Sequence, residues 1–142
     1  MTGDLKNLYT TVIKAQSESP FHFEKKEHAG VTVKAYNSLC GDRFEIYIDT
    51  KGDAIDKLYF YGFGCAISKA STSVLIKSLA GKSLQEARAI CDNFLNFMDA
   101  KSDGGELTLP DDFRAFSGVH DFPERYDCAT LSWKEMKKFL EN

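Results

Sequence analysis

The stretch VTVKAYNSLCGDRFEIYIDT, residues 31–50, contains two predicted strands and the turn that joins them. Apolar residues alternate with more polar ones from 31 to 36 and again from 44 to 49, which is the period of a half-buried strand. Gly41 and Asp42 suit a tight turn, but a turn has no need of Cys40. A connection this short predicts that the two strands pair in antiparallel fashion.

The flanking sequence extends this pair into an α+β fold. An aromatic-rich run at 55–61 predicts a third strand, so the three strands form an antiparallel meander. Apolar residues at helical spacing predict about four to five helices packed with the three-stranded sheet. The helical segments are expected at about 5–13, 67–78, 84–98, 111–116 (a single turn) and 128–140.

Length and charge limit the class of protein. The chain has 142 residues, a length typical of a single domain, and a formal net charge of −3. No basic stripe runs along it, so no nucleic-acid partner is expected. It also has no signal-like N-terminus and no apolar run long enough for a membrane span. We therefore expect a cytoplasmic protein that does not bind a membrane.

The four cysteines indicate metal or thiol chemistry. In a cytosolic chain such cysteines more often bind metal or react than form disulfides, although two disulfides remain an alternative. Cys40, Cys65 and Cys128 all lie at predicted ends of strands or helices, where distant parts of a chain can meet. Cys91 lies within a helix on its apolar stripe, which predicts a core residue outside any site.

Three thiolates and a carboxylate would form a zinc site. Cys65 and Cys128 lie near predicted helix starts, where the helix dipole stabilises a thiolate. Asp42, two residues after Cys40, could supply an oxygen ligand. The plainer alternatives are that each cysteine is a small buried hydrophobe and that Asp42 is a turn residue.

Three motifs resemble those of the U-type iron–sulfur cluster assembly proteins, the IscU/SufU family related to the N-terminal domain of NifU. They are NSLCGD at 37–42, GFGCAISKAS at 62–71 and RYDCATLSW at 125–133. The resemblance covers essentially the whole chain and implies a single U-type domain over residues 1–142. It also implies that Cys40, Asp42, Cys65 and Cys128 form the metal or cluster site, with Cys91 outside it.

Two features make the resemblance closer to SufU than to IscU. Asp127 occupies the position before the third motif cysteine, where IscU-type scaffolds carry a histidine. The stretch at about 99–122 resembles a segment that is inserted in SufU-type proteins. Lys69 and Arg125 flank the motif cysteines in sequence and could offset the negative charge of the site.

The resemblance implies a zinc-dependent sulfur acceptor, a sulfurtransferase if it is an enzyme at all. Its partners would be a SufS-like cysteine desulfurase, which uses pyridoxal phosphate, and downstream iron–sulfur assembly proteins. Cys40 is the expected sulfur acceptor, and Cys128 is the second choice. One alternative is a scaffold on which a [2Fe–2S] cluster is assembled with iron at the same four residues, and another is a structural zinc domain.

Overall fold

A three-stranded antiparallel sheet, with its strands side by side in chain order, forms one layer, and helices pack against one of its faces. The structure is a computed structural model that describes residues 3–39, 41–100 and 109–141. It confirms the predicted α+β fold and the antiparallel meander. The elements are, in chain order, α1 (Gly3–Glu18), β1 (Val31–Asn37), β2 (Asp42–Lys51), β3 (Ala54–Phe63), α2 (Ala66–Leu79), α3 (Leu84–Ala100), α4 (Asp111–Arg114), 3₁₀ helices at Ala115–Asp121 and Pro123–Arg125, and α5 (Tyr126–Glu141).

The alternation of residues 44 to 48 places one face of β2 in the core. Phe44, Ile46 and Ile48 are each at most 1% exposed. Ile46 pairs with Val33 of β1 and with Phe60 of β3, so the apolar side chains of the three strands meet on one face. A slip of one residue would turn all of them to solvent, which is why this pattern specifies the register.

Helix α2 runs through the centre of the helical layer and contacts α1, α3, α5 and β3. Its buried surface extends beyond the single apolar face predicted from sequence, because Ser71, Thr72 and Ser73 are also buried. Buried hydroxyls require hydrogen-bond partners, and Ser73 Oγ accepts one from the backbone N–H of Phe21 at 2.8 Å. The hydroxyls of α2 therefore fix its neighbours in place.

Aromatic side chains join α3, α4 and α5. The rings of Phe94 and Trp133 stack with their centroids 4.1 Å apart, and Phe113 packs edge-on against both. All three side chains are at most 4% exposed. Among the described residues, none of the helices is both long and apolar enough to cross a membrane.

Several boundaries differ from the sequence prediction; α1, for example, continues to Glu18 instead of ending near residue 13. β3 continues through Gly62 to Phe63, because Gly62 takes a φ of +150° that lets its backbone lie against Arg43 of β2. α5 begins at Tyr126, two residues before the predicted start. Of the predicted insertion at about 99–122, residues 101–108 lie outside the described residues. That this segment is an insertion relative to other family members stays a prediction.

Candidate metal site

The β1–β2 turn carries Asp42 at the first position of β2. Asn37 pairs with Asp42 across the hairpin, and its Oδ1 accepts a hydrogen bond from the Leu39 N–H at 3.0 Å. Gly41 has a φ of +74°, a left-handed value that glycine adopts without strain. The turn places Asp42 at 0% exposure. Cys40, the predicted sulfur acceptor, lies outside the described residues.

Cys65 is the N-cap residue of α2 and has an extended backbone. Its Sγ accepts a hydrogen bond from the backbone N–H of Ser68 at 3.4 Å. This satisfies one of the donors that the first turn of a helix leaves free. Cys65 therefore lies at the helix start that the sequence predicted.

Cys128 lies in the first turn of α5 and is 2% exposed. Hydrogen bonds to α2 fix the start of this helix. Ser71 Oγ donates to the carbonyl oxygen of Ala129 at 2.5 Å and accepts from Trp133 Nε1 at 3.0 Å. Because Ala129 directly follows Cys128, the same contact fixes the thiol relative to α2.

These three elements bring Asp42, Cys65 and Cys128 together, with one ligand atom of each lying within 4.8 Å of the others. Asp42 Oδ1 accepts hydrogen bonds from the Cys65 N–H at 3.2 Å and from Ser68 Oγ at 3.0 Å. Asp42 Oδ2 is buried and has no hydrogen-bond partner among the described residues. A buried carboxylate oxygen without a partner is costly, and a cation beside the two thiols would compensate it.

The donor set therefore fits a metal ion. Two thiolates and a carboxylate oxygen are ligands that zinc takes in proteins, and three of them leave one tetrahedral position. The sequence assigns that position to Cys40. The structure thus brings together the three predicted ligands that it describes, and that a metal binds them stays a prediction.

Arg125 provides a cation beside the thiols. Its pKa is raised by a hydrogen bond to Cys128 and by the charges of Cys65 and Cys128. Tyr9 of α1 reaches the same region: burial raises the pKa of its hydroxyl, the charge of Arg125 opposes this rise, and the charge of Cys65 adds to it. These effects place Arg125 and Tyr9 within electrostatic range of the candidate ligands.

Lys69, the other predicted supporting residue, has a different described contact. Its Nζ lies 4.6 Å from the centroid of the Phe23 ring, a cation–π contact with the loop that precedes β1. A supporting role for Lys69 at the thiols stays a prediction.

Cys91 is separate from this group. It is 0% exposed in the middle of α3 and packs in the hydrophobic core. Burial, with a smaller contribution from the charge of Asp92, raises the pKa of its thiol to about 12. The candidate metal group found in the described part of the chain does not include it. A neutral, buried thiol of this kind acts as a small apolar side chain.

Two residues near the site were missed by the sequence analysis. The contact of Ser68 with Cys65 could have been predicted, because a residue three positions after a helix N-cap faces back toward that cap. The hydrogen bond of Ser68 to Asp42, which is 26 residues away along the chain, could not be predicted in this way. Tyr9 lies within the predicted helix at 5–13, and nothing in its sequence neighbourhood marks its approach to the thiols.

Comparison with known proteins identifies the family. The NifU-like N-terminal domain family matches residues 8–129. A relative from Bacillus subtilis, named zinc-dependent sulfurtransferase SufU, is 33% identical over 136 residues, which are 96% of this chain and 91% of that protein. A relative from Streptococcus pyogenes, named iron–sulfur cluster assembly scaffold protein IscU, is 32% identical over 96% of this chain and 85% of its own length.

A solved structure shows the same fold. It is that of a candidate iron–sulfur cluster assembly scaffold protein for the SUF system from Fervidobacterium islandicum. The TM-score is 0.83 at 33% identity, and the match covers 94% of this chain and 96% of that one. With a family match over most of its length and relatives at this level of identity, the chain belongs to the family of NifU-like N-terminal domains.

Proposed function

We propose that the chain is a zinc-dependent sulfur acceptor, which takes sulfur from the persulfide of a cysteine desulfurase for iron–sulfur cluster assembly. The observation that carries this proposal is the group formed by Asp42, Cys65 and Cys128, with its unpartnered carboxylate oxygen. The name of the Bacillus subtilis relative, a zinc-dependent sulfurtransferase, supports the same activity here.

Cys40, Asp42, Cys65 and Cys128 would hold the zinc ion and complete a tetrahedral site. When bound, zinc would keep the cysteine ligands deprotonated and ready to act as nucleophiles, and its bond to each sulfur would shield that sulfur from oxidation. Arg125 offsets the excess negative charge that three thiolates and a carboxylate create. Asp42 supplies a hard oxygen, which exchanges more readily than a thiolate does.

Sulfur transfer is a thiolate attack in which Cys40 is the nucleophile. The Cys40 thiolate attacks the outer sulfur of the desulfurase persulfide, a new S–S bond forms, and the persulfide S–S bond breaks. The desulfurase cysteine leaves as a thiolate, so the step needs no external oxidant or reductant. Cys128 is the second choice for this role because it is only 2% exposed and a partner's persulfide could not approach it directly.

Exposed apolar side chains beside the site support a protein partner. Leu39, which precedes Cys40, is 93% exposed, and Phe63, two residues before Cys65, is 71% exposed. Large apolar side chains exposed near a functional site are typical of a protein-binding surface. We propose that this surface receives a SufS-like, pyridoxal-phosphate-dependent desulfurase and later the proteins that take the sulfur or cluster onward.

A scaffold for a [2Fe–2S] cluster is the second candidate, and it would use the same four ligands. The specific support for it is the name of the Streptococcus pyogenes relative, an assembly scaffold protein. Asp127 favours sulfur transfer over this alternative, because IscU-type scaffolds carry a histidine at that position.

Metal analysis of protein purified without oxygen tests the two candidates against each other. The sulfur-acceptor proposal predicts about one tightly bound zinc ion per chain. An iron–sulfur chromophore in its place would favour the scaffold. A protein with neither would contradict both.

Sulfur transfer is tested by sulfide release in the presence of a cysteine desulfurase and a reductant. Cys40→Ala should abolish the release that this chain stimulates, whereas the control Cys91→Ala should retain it. Full stimulation by Cys40→Ala and none by Cys128→Ala would move the acceptor role to Cys128. Full stimulation by both variants would discard the sulfurtransferase proposal.

A further inference from the structure

We propose that Ser68 is a positioning residue that reserves Oδ1 of Asp42, so that this carboxylate presents its other oxygen to a metal held with Cys65 and Cys128. The inference rests on the metal-binding part of the proposed function. It adds a residue that is not itself a ligand, and it assigns a separate task to each oxygen of Asp42.

The hydrogen bonds at Asp42 are divided unequally between its two oxygens. Oδ1 accepts from Ser68 Oγ at 3.0 Å and from the Cys65 N–H at 3.2 Å, while Oδ2 has no partner among the described residues. Both acceptor positions of Oδ1 are thus occupied by donors from the start of α2. Oδ2 is the oxygen that remains available on the buried side chain.

The Ser68 hydroxyl has one hydrogen and three acceptors within reach, namely Asp42 Oδ1 at 3.0 Å, the Cys65 carbonyl oxygen at 3.1 Å and Cys65 Sγ at 3.6 Å. A carboxylate forms a stronger hydrogen bond than a carbonyl oxygen, and Asp42 Oδ1 lies nearer to Ser68 Oγ than the sulfur does, so the hydrogen is directed to Asp42. Ser68 is 2% exposed, and water has little access to replace this donor.

Gly64 leaves the space in which this contact forms. A Cβ atom at position 64 would lie 2.5 Å from Ser68 Oγ, 2.7 Å from Asp42 Oδ1 and 2.7 Å from a ring carbon of Phe44. All three distances are shorter than real Cβ contacts, so any side chain at this position would displace the Ser68–Asp42 pair. The glycine of the GFGC motif therefore has a structural role at the site itself.

The consequence is a carboxylate that binds through one oxygen and cannot swing toward two-oxygen binding without losing both hydrogen bonds. Such a ligand can leave the metal while its side chain stays in place, because the bonds to Oδ1 do not depend on the metal. Residues that orient a ligand in this way affect metal affinity by about 10- to 100-fold.

The test compares Ser68→Ala with Ser73→Ala, which removes another buried hydroxyl from the same helix. Ser73 bonds to Gln16 and to the Phe21 N–H, away from the thiols. Zinc affinity is measured by competition with a chelator, and Ser68→Ala should bind about 10-fold more weakly while Ser73→Ala binds like the wild type. Melting of the metal-free proteins controls for stability.

Cobalt(II) provides a second measurement that a general loss of stability would not change. The thiolate-to-cobalt absorption of Ser68→Ala should keep its wild-type intensity, because no sulfur ligand is lost. The d–d bands should shift, because the carboxylate is no longer held to one oxygen. Gly64→Ala keeps the hydroxyl but displaces it, so it should show the same shift, and it provides the test if Ser68→Ala does not fold.

The outcomes separate this inference from the function on which it rests. Wild-type zinc affinity and an unchanged cobalt spectrum in both Ser68→Ala and Gly64→Ala would overturn the positioning role and leave the proposed function intact. A wild-type protein that binds neither zinc nor cobalt would overturn the metal site, and the positioning role with it.

Discussion

Replacing Asp42 by asparagine should stabilise the metal-free protein and reduce the stabilisation that zinc binding adds. The amide keeps the shape of the side chain, and its oxygen can still accept from the Cys65 N–H and from Ser68 Oγ. The NH₂ group then takes the place of Oδ2, which is buried without a partner. In the metal-free protein, the substitution removes a buried anionic oxygen and puts a hydrogen-bond donor next to two sulfur atoms.

The size of the effect follows from the cost of that unpartnered oxygen. A buried polar group without a partner costs about 1–3 kcal/mol, so metal-free Asp42→Asn should gain free energy of unfolding on this order. For a chain of this length the gain corresponds to a rise in Tm of about 3–10 °C. With zinc at about 100 times its Kd, binding adds about 2.7 kcal/mol to the wild type. A variant whose affinity is about 100-fold lower would keep only ~0.4 kcal/mol of this.

Thermal unfolding measured with a chelator and again with excess zinc checks both the gain in metal-free stability and the smaller effect of zinc. Asp56→Asn is the matched control, since it removes one negative charge from an exposed position on β3. Asp42→Asn should melt higher than the wild type in chelator and show a smaller rise on addition of zinc. A lower Tm in chelator would refute the reasoning, because it would mean that Oδ2 already has a stabilising partner in the metal-free protein.

Three further outcomes are expected. Cys91→Ala should keep its full metal content and lose about 1 kcal/mol of unfolding free energy, because it leaves a small cavity in the core. Loss of metal in this variant would contradict the placement of Cys91 outside the metal site. Iodoacetamide at about pH 8 should modify Cys65 in the native metal-free protein and spare Cys91, because the pKa of about 12 keeps the Cys91 thiol protonated. Mass spectrometry of the peptides would show which cysteine is modified. Ser71→Ala should cost about 1–3 kcal/mol in urea unfolding, because Trp133 Nε1 and the Ala129 carbonyl lose their partner; a cost below ~0.5 kcal/mol would contradict this.

The elements of the fold were predictable because their signals are local. Alternation in residues 31–50 predicted two strands and the apolar side of each, and in the structure a shift of one residue would expose that side. The start of α3 was equally clear: Ser83 Oγ accepts from the Glu86 N–H at 3.0 Å, and Glu86 Oε1 accepts from the Ser83 N–H at 3.1 Å. Both groups belong to one short stretch, so the sequence pattern contains the whole interaction.

The site was only partly predictable, because its parts lie far apart in the chain. The cysteines could be placed at the ends of elements, and the resemblance then named the ligands. The two bonds that hold Asp42 Oδ1 come from residues 23 and 26 positions away, and no periodicity reports them. The burial of the hydroxyls on α2 was not predictable from the sequence either. In sequence, Ser71 and Thr72 look like solvent-facing residues, and only the packing of α5 against α2 explains their burial.

The same packing bears on whether the chain could be a structural zinc domain. Domains that need zinc to fold are too small to bury an adequate core, and their metal supplies the missing free energy. Here the positions of the thiols are set by contacts that do not involve a metal, such as Ser71 with Ala129 and Trp133 with Phe94. The core joins α1, α3 and α5 to α2, and both α2 and α5 to the sheet. A chain that already holds Asp42, Cys65 and Cys128 together can release a metal ligand and remain folded, which a sulfur acceptor or a scaffold requires and a structural zinc domain does not.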